Sequence, residues 1–103
     1  MTAEKGRGRE GALLFVLQHP LRKRLLRLYV EEEGMFSPKE LADFTKQHLS
    51  KVGYHVRVLA EKGAVEIVAE QQRRGAVEHF YEATKLVDQV PWGRAALGIG
   101  AEA

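Results

Sequence analysis

Past a Gly- and charge-rich start, apolar positions recur at helical spacing to about residue 60, then shift to short alternating stretches. The first spacing predicts helices and the second predicts strands. Glu10–Gln18 reads as a short apolar helix. Pro20 fits the first turn of the next helix, where its missing N–H leaves no bond unmade. Leu21, Leu25, Leu28 and Tyr29, with Leu26 beside them, carry that helix to about Glu33, and Gly34 stops it. Ser37-Pro38-Lys39-Glu40 predicts another start. Ser37 can cap, Pro38 suits the first helical position, and Glu40 stands where a capping box requires it. Leu41, Ala42 and Phe44 form the expected buried stripe of this helix, which ends near Thr45. After a turn at Lys46-Gln47-His48, Leu49, Val52, Val56 and Leu59 define one apolar face of a helix running from about Leu49 to Lys62. Gly63 closes it.

Ala64–Val68 and Val77–Tyr81 read as two strands around a polar turn, Gln71–Gly75, and form a hairpin with a basic tip. A short helix is expected over Lys85–Gln89. The sequence predicts a single domain over residues 11–90. Residues 1–10, rich in Gly and charge, are expected to be a flexible basic arm, and the Gly-containing tail over 91–103 is expected to fray.

A length of 103 residues supports one domain. The balance of 45% apolar and 29% charged residues is that of a folded chain. Sixteen Lys and Arg against fourteen Asp and Glu exclude a histone-like polybasic protein. They leave nucleic-acid binding open, because local distribution outweighs the total. With no cysteine, disulfides, Cys-ligated zinc and thiolate nucleophiles are excluded. The longest apolar run, Ala12–Leu17, falls far short of the roughly 20 residues of a membrane span. No cleavage pattern follows it, so a cytoplasmic protein without a membrane partner is expected. No P-loop, nucleophile elbow or H-E-x-x-H motif is present, so the sequence does not predict an enzyme.

Helix, short helix, tight turn, helix and hairpin is the order of a winged helix-turn-helix, an α+β, mainly helical fold. The helix after the tight turn must then offer a polar or basic face to a major groove and pack its other face inward. Ser50, Lys51, Tyr54 and Arg57 fall opposite Val52, Val56 and Leu59. Gly53 costs about 1 kcal/mol relative to Ala in a helix interior. Close approach of the backbone to another surface would offset that cost.

The stretches His19-Pro20-Leu21-Arg22-Lys23-Arg24-Leu25-Leu26, Ser37-Pro38-Lys39-Glu40-Leu41-Ala42, Leu49 through Glu66, and Arg73-Arg74-Gly75-Ala76-Val77-Glu78-His79-Phe80-Tyr81 together resemble the ArsR-like winged helix-turn-helix transcriptional regulators. The resemblance covers about His19–Thr84. It implies a homodimeric regulator, usually a repressor, that binds double-stranded DNA sequence-specifically. The helix matching Leu49–Lys62 would enter the major groove, and the wing matching Glu66–Tyr81 would reach the backbone or minor groove. Dimer segments would lie at about Gly11–Gln18 and Lys85–Leu97. Two departures stand out. The family turn commonly carries a Gly, whereas this one is Lys46-Gln47-His48. The chain also has no cysteine and no histidine after His79, so the family's usual metal sites do not carry over. No cofactor is expected, and no inducer is indicated.

The candidate DNA contacts are therefore Lys46, His48, Ser50, Lys51, Gly53, Tyr54, Arg57, Arg73 and Arg74. The candidate dimer residues are Leu13, Leu14, Val16, Leu17, Leu86 and Trp92. Each has a plainer alternative. Tyr54 could be a half-exposed surface tyrosine, and Arg73 and Arg74 a solvated turn. Arg22, Lys23, Arg24 and Arg27 could be a solvated face balanced by Glu31-Glu32-Glu33. Trp92 could pack the tail on its own domain. His55 reads as a structural histidine, and the four histidines show no chelating spacing. The rival function is a winged-helix module that binds protein. Against it, residues 46–62 hold four Lys or Arg and a single acid, Glu61.

Overall fold

The computed structural model describes residues 2–100, with side chains placed from residue 8 onward. The described residues form an α+β fold of five α-helices and one antiparallel hairpin. In order these are α1 (Thr2–Val16), α2 (Pro20–Glu32), α3 (Pro38–Thr45), α4 (Leu49–Glu61), β1 (Val65–Arg73), β2 (Ala76–Ala83), a 3-10 turn (Val87–Gln89) and α5 (Gly93–Leu97). No described helix is long and apolar enough to cross a membrane.

The N-terminal segment departs from expectation. Helix α1 begins at Thr2, so the segment read as a flexible arm is helical from there. Its last turns are docked, with Leu13 and Val16 fully buried. Extending a helix from a fixed turn needs only one residue ordered per new bond, which tolerates Gly8 and Gly11. At the end of α1 the Arg22 side chain donates to Val16 O (3.0 Å) and to Phe15 O (2.9 Å), which also accepts from Gln18 N–H at 3.2 Å.

Helix α2 starts at Pro20 with His19 as its cap, His19 Nδ1 accepting from Leu21 N–H at 3.2 Å. Leu25, Leu26 and Tyr29 face the core. The Tyr29 hydroxyl donates to Phe36 O at 2.9 Å, and burial pushes its pKa up. This bond holds the chain just before α3. The capping box of α3 forms as the sequence predicts: Ser37 Oγ accepts from Glu40 N–H, and Ser37 N–H donates to Glu40 Oε1.

Leu41, Ala42, Val52, Val56, Leu59, Val65 and Tyr81 close the core between α2, α3, α4 and the hairpin base. Each fully buried leucine contributes roughly 1.5–3 kcal/mol by leaving water. Two expected core residues lie outside. Phe44 is 67% exposed and Leu49 is 50% exposed. The inward face of α4 is instead completed by His55 and Val58.

The strands are longer and the turn tighter than expected. Arg73 pairs with Ala76, so the loop is only Arg74-Gly75. Both loop residues have positive φ (45° and 84°), as a two-residue type I′ turn demands. Gln71, Gln72 and Arg73 project past the body with solvent around them, so the ribbon there needs no alternating pattern. A backbone bridge between Phe36 and Tyr81 ties the hairpin base to the segment before α3.

The C-terminal segment is more ordered than expected. Only Val87–Gln89 of the expected helix over Lys85–Gln89 forms, as a 3-10 turn. The tail then makes α5, which ends at Leu97, itself buried, with Gly98 as its cap. Gly93 is required there. A Cβ at that position would stand 2.2 Å from Val87 O. Arg94 bonds Asp88 at 2.6 Å and holds the Asp88 carboxyl below the usual range.

Candidate nucleic-acid interface

Helix α4 turns opposite faces to the core and to solvent. Val52, His55, Val56, Val58 and Leu59 are buried, while Ser50, Lys51, Tyr54 and Arg57 are exposed. Ser50, Tyr54 and Arg57 follow one another by four and three residues, so they line one side of the helix. Lys51 flanks that line on the side of His55. Gly53 flanks it on the other side, above an open cleft bounded by Leu49, Arg57, Val77 and Tyr81. A Cβ on Gly53 would meet only Arg57 Nη1, at an ordinary 3.7 Å. The packing of the described residues therefore gives no reason for glycine at that position.

The start of α4 is fixed by polar residues. His48 is its cap, with Nδ1 3.3 Å from Ser50 N and 2.9 Å from Ser50 Oγ. Two candidate contacts thus hold each other at the end of the exposed face. Lys46 ends α3 in the left-handed conformation (φ 58°, ψ 37°), the one glycine adopts most easily. The turn keeps a glycine-like backbone without a glycine. A non-glycine residue there costs about 1–2 kcal/mol.

The hairpin stands beside α4, but its two arginines differ. Arg74 makes no salt bridge among the described residues. Arg73 turns back and pairs with Glu78, Nε to Oε1 at 2.8 Å, and its Nη2 donates to Gln71 at 3.0 Å. Of the two arginines expected at the wing tip, Arg73 is thus held by a carboxylate while its side chain stays 55% exposed. Sequence reading missed Glu78, although an arginine and a glutamate on opposite sides of a tight turn was a usable signal. His79 pairs across the ribbon with Glu70 at 3.3 Å.

The basic run on α2 does not form one open surface. Arg22 is buried, while Lys23, Arg24 and Arg27 are exposed, Arg27 bonded to Glu31 at 3.0 Å. Lys62, the last cation of the α4 region, lies 4.4 Å from the centroid of the Phe15 ring of α1.

His55 is buried at the junction of three elements. Its ring centroid lies 4.1 Å from that of His19, and its Nδ1 lies 3.4 Å from Arg22 Nη1. Burial, then the neighbouring His19, Arg22 and Lys51, lower its pKa. The arrangement is structural: it joins α4 to the start of α2. Among the described residues no group of three or more His, Cys, Asp or Glu could hold a metal ion.

The expected dimer residues separate. Leu13, Val16 and Leu86 are in the core of their own chain and leave almost no area for a partner, because α1 packs inward instead of standing apart. Leu17 and Trp92 are half-buried against the same core. Leu14 (54% exposed) remains, with its neighbour Phe15 (43% exposed). The chain matches no family model and no curated protein sequence.

Proposed function

We propose that this chain is a winged helix-turn-helix DNA-binding regulator acting as a homodimer, related in kind to the ArsR-like repressors. In this reading α3 and α4 are the helix-turn-helix, α4 is the recognition helix, and the β1–β2 hairpin is the wing. One observation carries it. The outer face of α4 presents Ser50, Lys51, Tyr54 and Arg57 around a glycine that its own fold does not need. A glycine at that place lets the helix backbone approach an edge of another molecule. Lys51 and Arg57 suit phosphates or base acceptors, and Tyr54 offers a ring with a hydroxyl. Two copies of α4 would enter successive major grooves about 34 Å apart, so the operator is an imperfect palindrome.

The test is selection of duplexes from a random pool, followed by titration of the selected DNA against salt. A steep log–log decrease is expected, and a slope near zero overturns the reading. One observation favours the rival, a protein-binding module. The hairpin carries Glu66, Glu70, Glu78 and Glu82 against Arg73 and Arg74, with Ile67, Val68 and Val77 exposed. Under that reading the pool yields no enriched sequence.

A further inference from the structure

The hairpin is attached to the body at two levels. At its base, Phe36 and Tyr81 exchange backbone hydrogen bonds of 2.9 and 3.0 Å. Further out, Glu78 on β2 reaches the cap of α3, where the Ser37 hydroxyl donates to Glu78 Oε2. Ser37 is fully buried, and its Oγ also accepts from Glu40 N–H. The capping box of α3 is thereby extended across to the hairpin. The other oxygen of Glu78 holds Arg73. Residues 71–77, between the outer end of β1 and Glu78, are all exposed. Glu78, only 16% exposed, is thus the outermost tie between hairpin and body.

We propose that Glu78 is a positioning residue for DNA binding. It fixes the angle of the wing on α3 and withholds the Arg73 charge from phosphate, leaving Arg74 as the cation of the tip. The proposal rests on the DNA-binding reading above. A carboxylate 2.8 Å from a guanidinium neutralises it locally, and a neutralised cation releases no counterion when DNA arrives. The carboxylate also sits near the N-terminal end of α3, where the aligned peptide dipoles favour a negative charge.

Glu78→Gln separates the two roles. Its amide oxygen can still accept from Ser37, but the charge that holds Arg73 is gone. With duplex DNA selected by the wild-type protein, Glu78→Gln is expected to bind more tightly at low salt. Its log–log salt slope should steepen by about 0.9, one additional phosphate. Arg73→Ala alone should leave the wild-type slope unchanged, and in the Glu78→Gln background it should abolish the gain. A shallower slope for Arg73→Ala alone overturns the proposal, because Arg73 would then already be on phosphate. An unchanged slope for Glu78→Gln also overturns it.

A second measurement needs no DNA. In Glu78→Ala, the amides of Gln71, Arg73 and Ala76 should exchange with solvent faster than in wild type, while those of Val65 and Ala83 keep their rates. Equal exchange at the outer amides overturns the tie itself. Absence of DNA binding by the wild-type protein, with the exchange difference present, instead overturns the DNA reading and with it the assigned role of Arg73.

Discussion

The rings of His19 and His55 lie 4.1 Å apart, and Arg22 closes the group from α2. His55 also has Lys51 and Tyr54 near it on α4, and the pairs His55 makes are with other bases and a tyrosine ring. Protonating His55 adds a cation beside a buried guanidinium. Its folded-state pKa is lowered, so between that value and the ordinary 6.5 the unfolded chain binds the proton that the native chain refuses. The contribution of His55 to stability is therefore complete above about pH 6.5 and is lost as the pH falls through the folded-state value. Denaturant titrations of wild type and His55→Gln at several pH values between 8 and 5 check this. The difference in their stabilities should shrink as pH falls, and a constant difference would show that His55 titrates normally.

Gly53 separates folding from binding. With room for a methyl group, Gly53→Ala should raise stability by about 0.5–1 kcal/mol, the ordinary gain of Ala over Gly inside a helix. Thermal unfolding should show an increase of several degrees. Affinity for the selected operator should fall if the duplex approaches α4 as proposed, because the methyl would stand between them. Higher stability with unchanged affinity would place the DNA elsewhere.

Arg74 stands at the first position of a type I′ turn, where asparagine followed by glycine is favoured. Arg74→Asn should therefore raise stability by roughly 0.5 kcal/mol, since asparagine accepts positive φ more readily. It should also lessen DNA affinity about equally for all sequences and make the salt slope shallower by about 0.9. Chemical denaturation and the salt titration measure the two effects separately.

Leu14 is the most exposed of the residues expected at the dimer contact. Leu14→Ser should change the unfolding free energy of the single chain by less than about 0.5 kcal/mol, as surface replacements usually do. Sedimentation at micromolar concentration should show two chains for wild type and a shift toward one for the variant. One chain in both cases would remove the dimer from the proposed function.

The sequence was most informative where local chemistry acts alone. Ser37, Pro38 and Glu40 mark the start of α3 to the residue, because a capping box is satisfied within four positions. The outer residues of α4 were legible for a similar reason: Val52, Val56 and Leu59 set the helix phase. Phe44 and Leu49 were misplaced because neighbouring chain decides which flank of a short apolar stripe is covered, and spacing does not record that. The extent of the hairpin was hidden because a ribbon beyond the body has two wet faces. The pairing of Ser37 with Glu78 spans 41 positions, and nothing local foretells it. The burial of Leu13 and Val16 in the common core likewise depends on residues distant in sequence, so only part of a stripe that looked available for a partner stays exposed.

Arg22 gives α1 a standing that its glycines conceal. Its guanidinium is buried, and its acceptors are the last carbonyls of α1 and a ring nitrogen of α4. A fragment beginning at His19 would retain the guanidinium and lose both carbonyl acceptors along with the Phe15 ring beside it. The last turn of α1 is consequently part of the setting of Arg22. One side chain of α2 thus meets the end of α1 and the inner side of α4 at once.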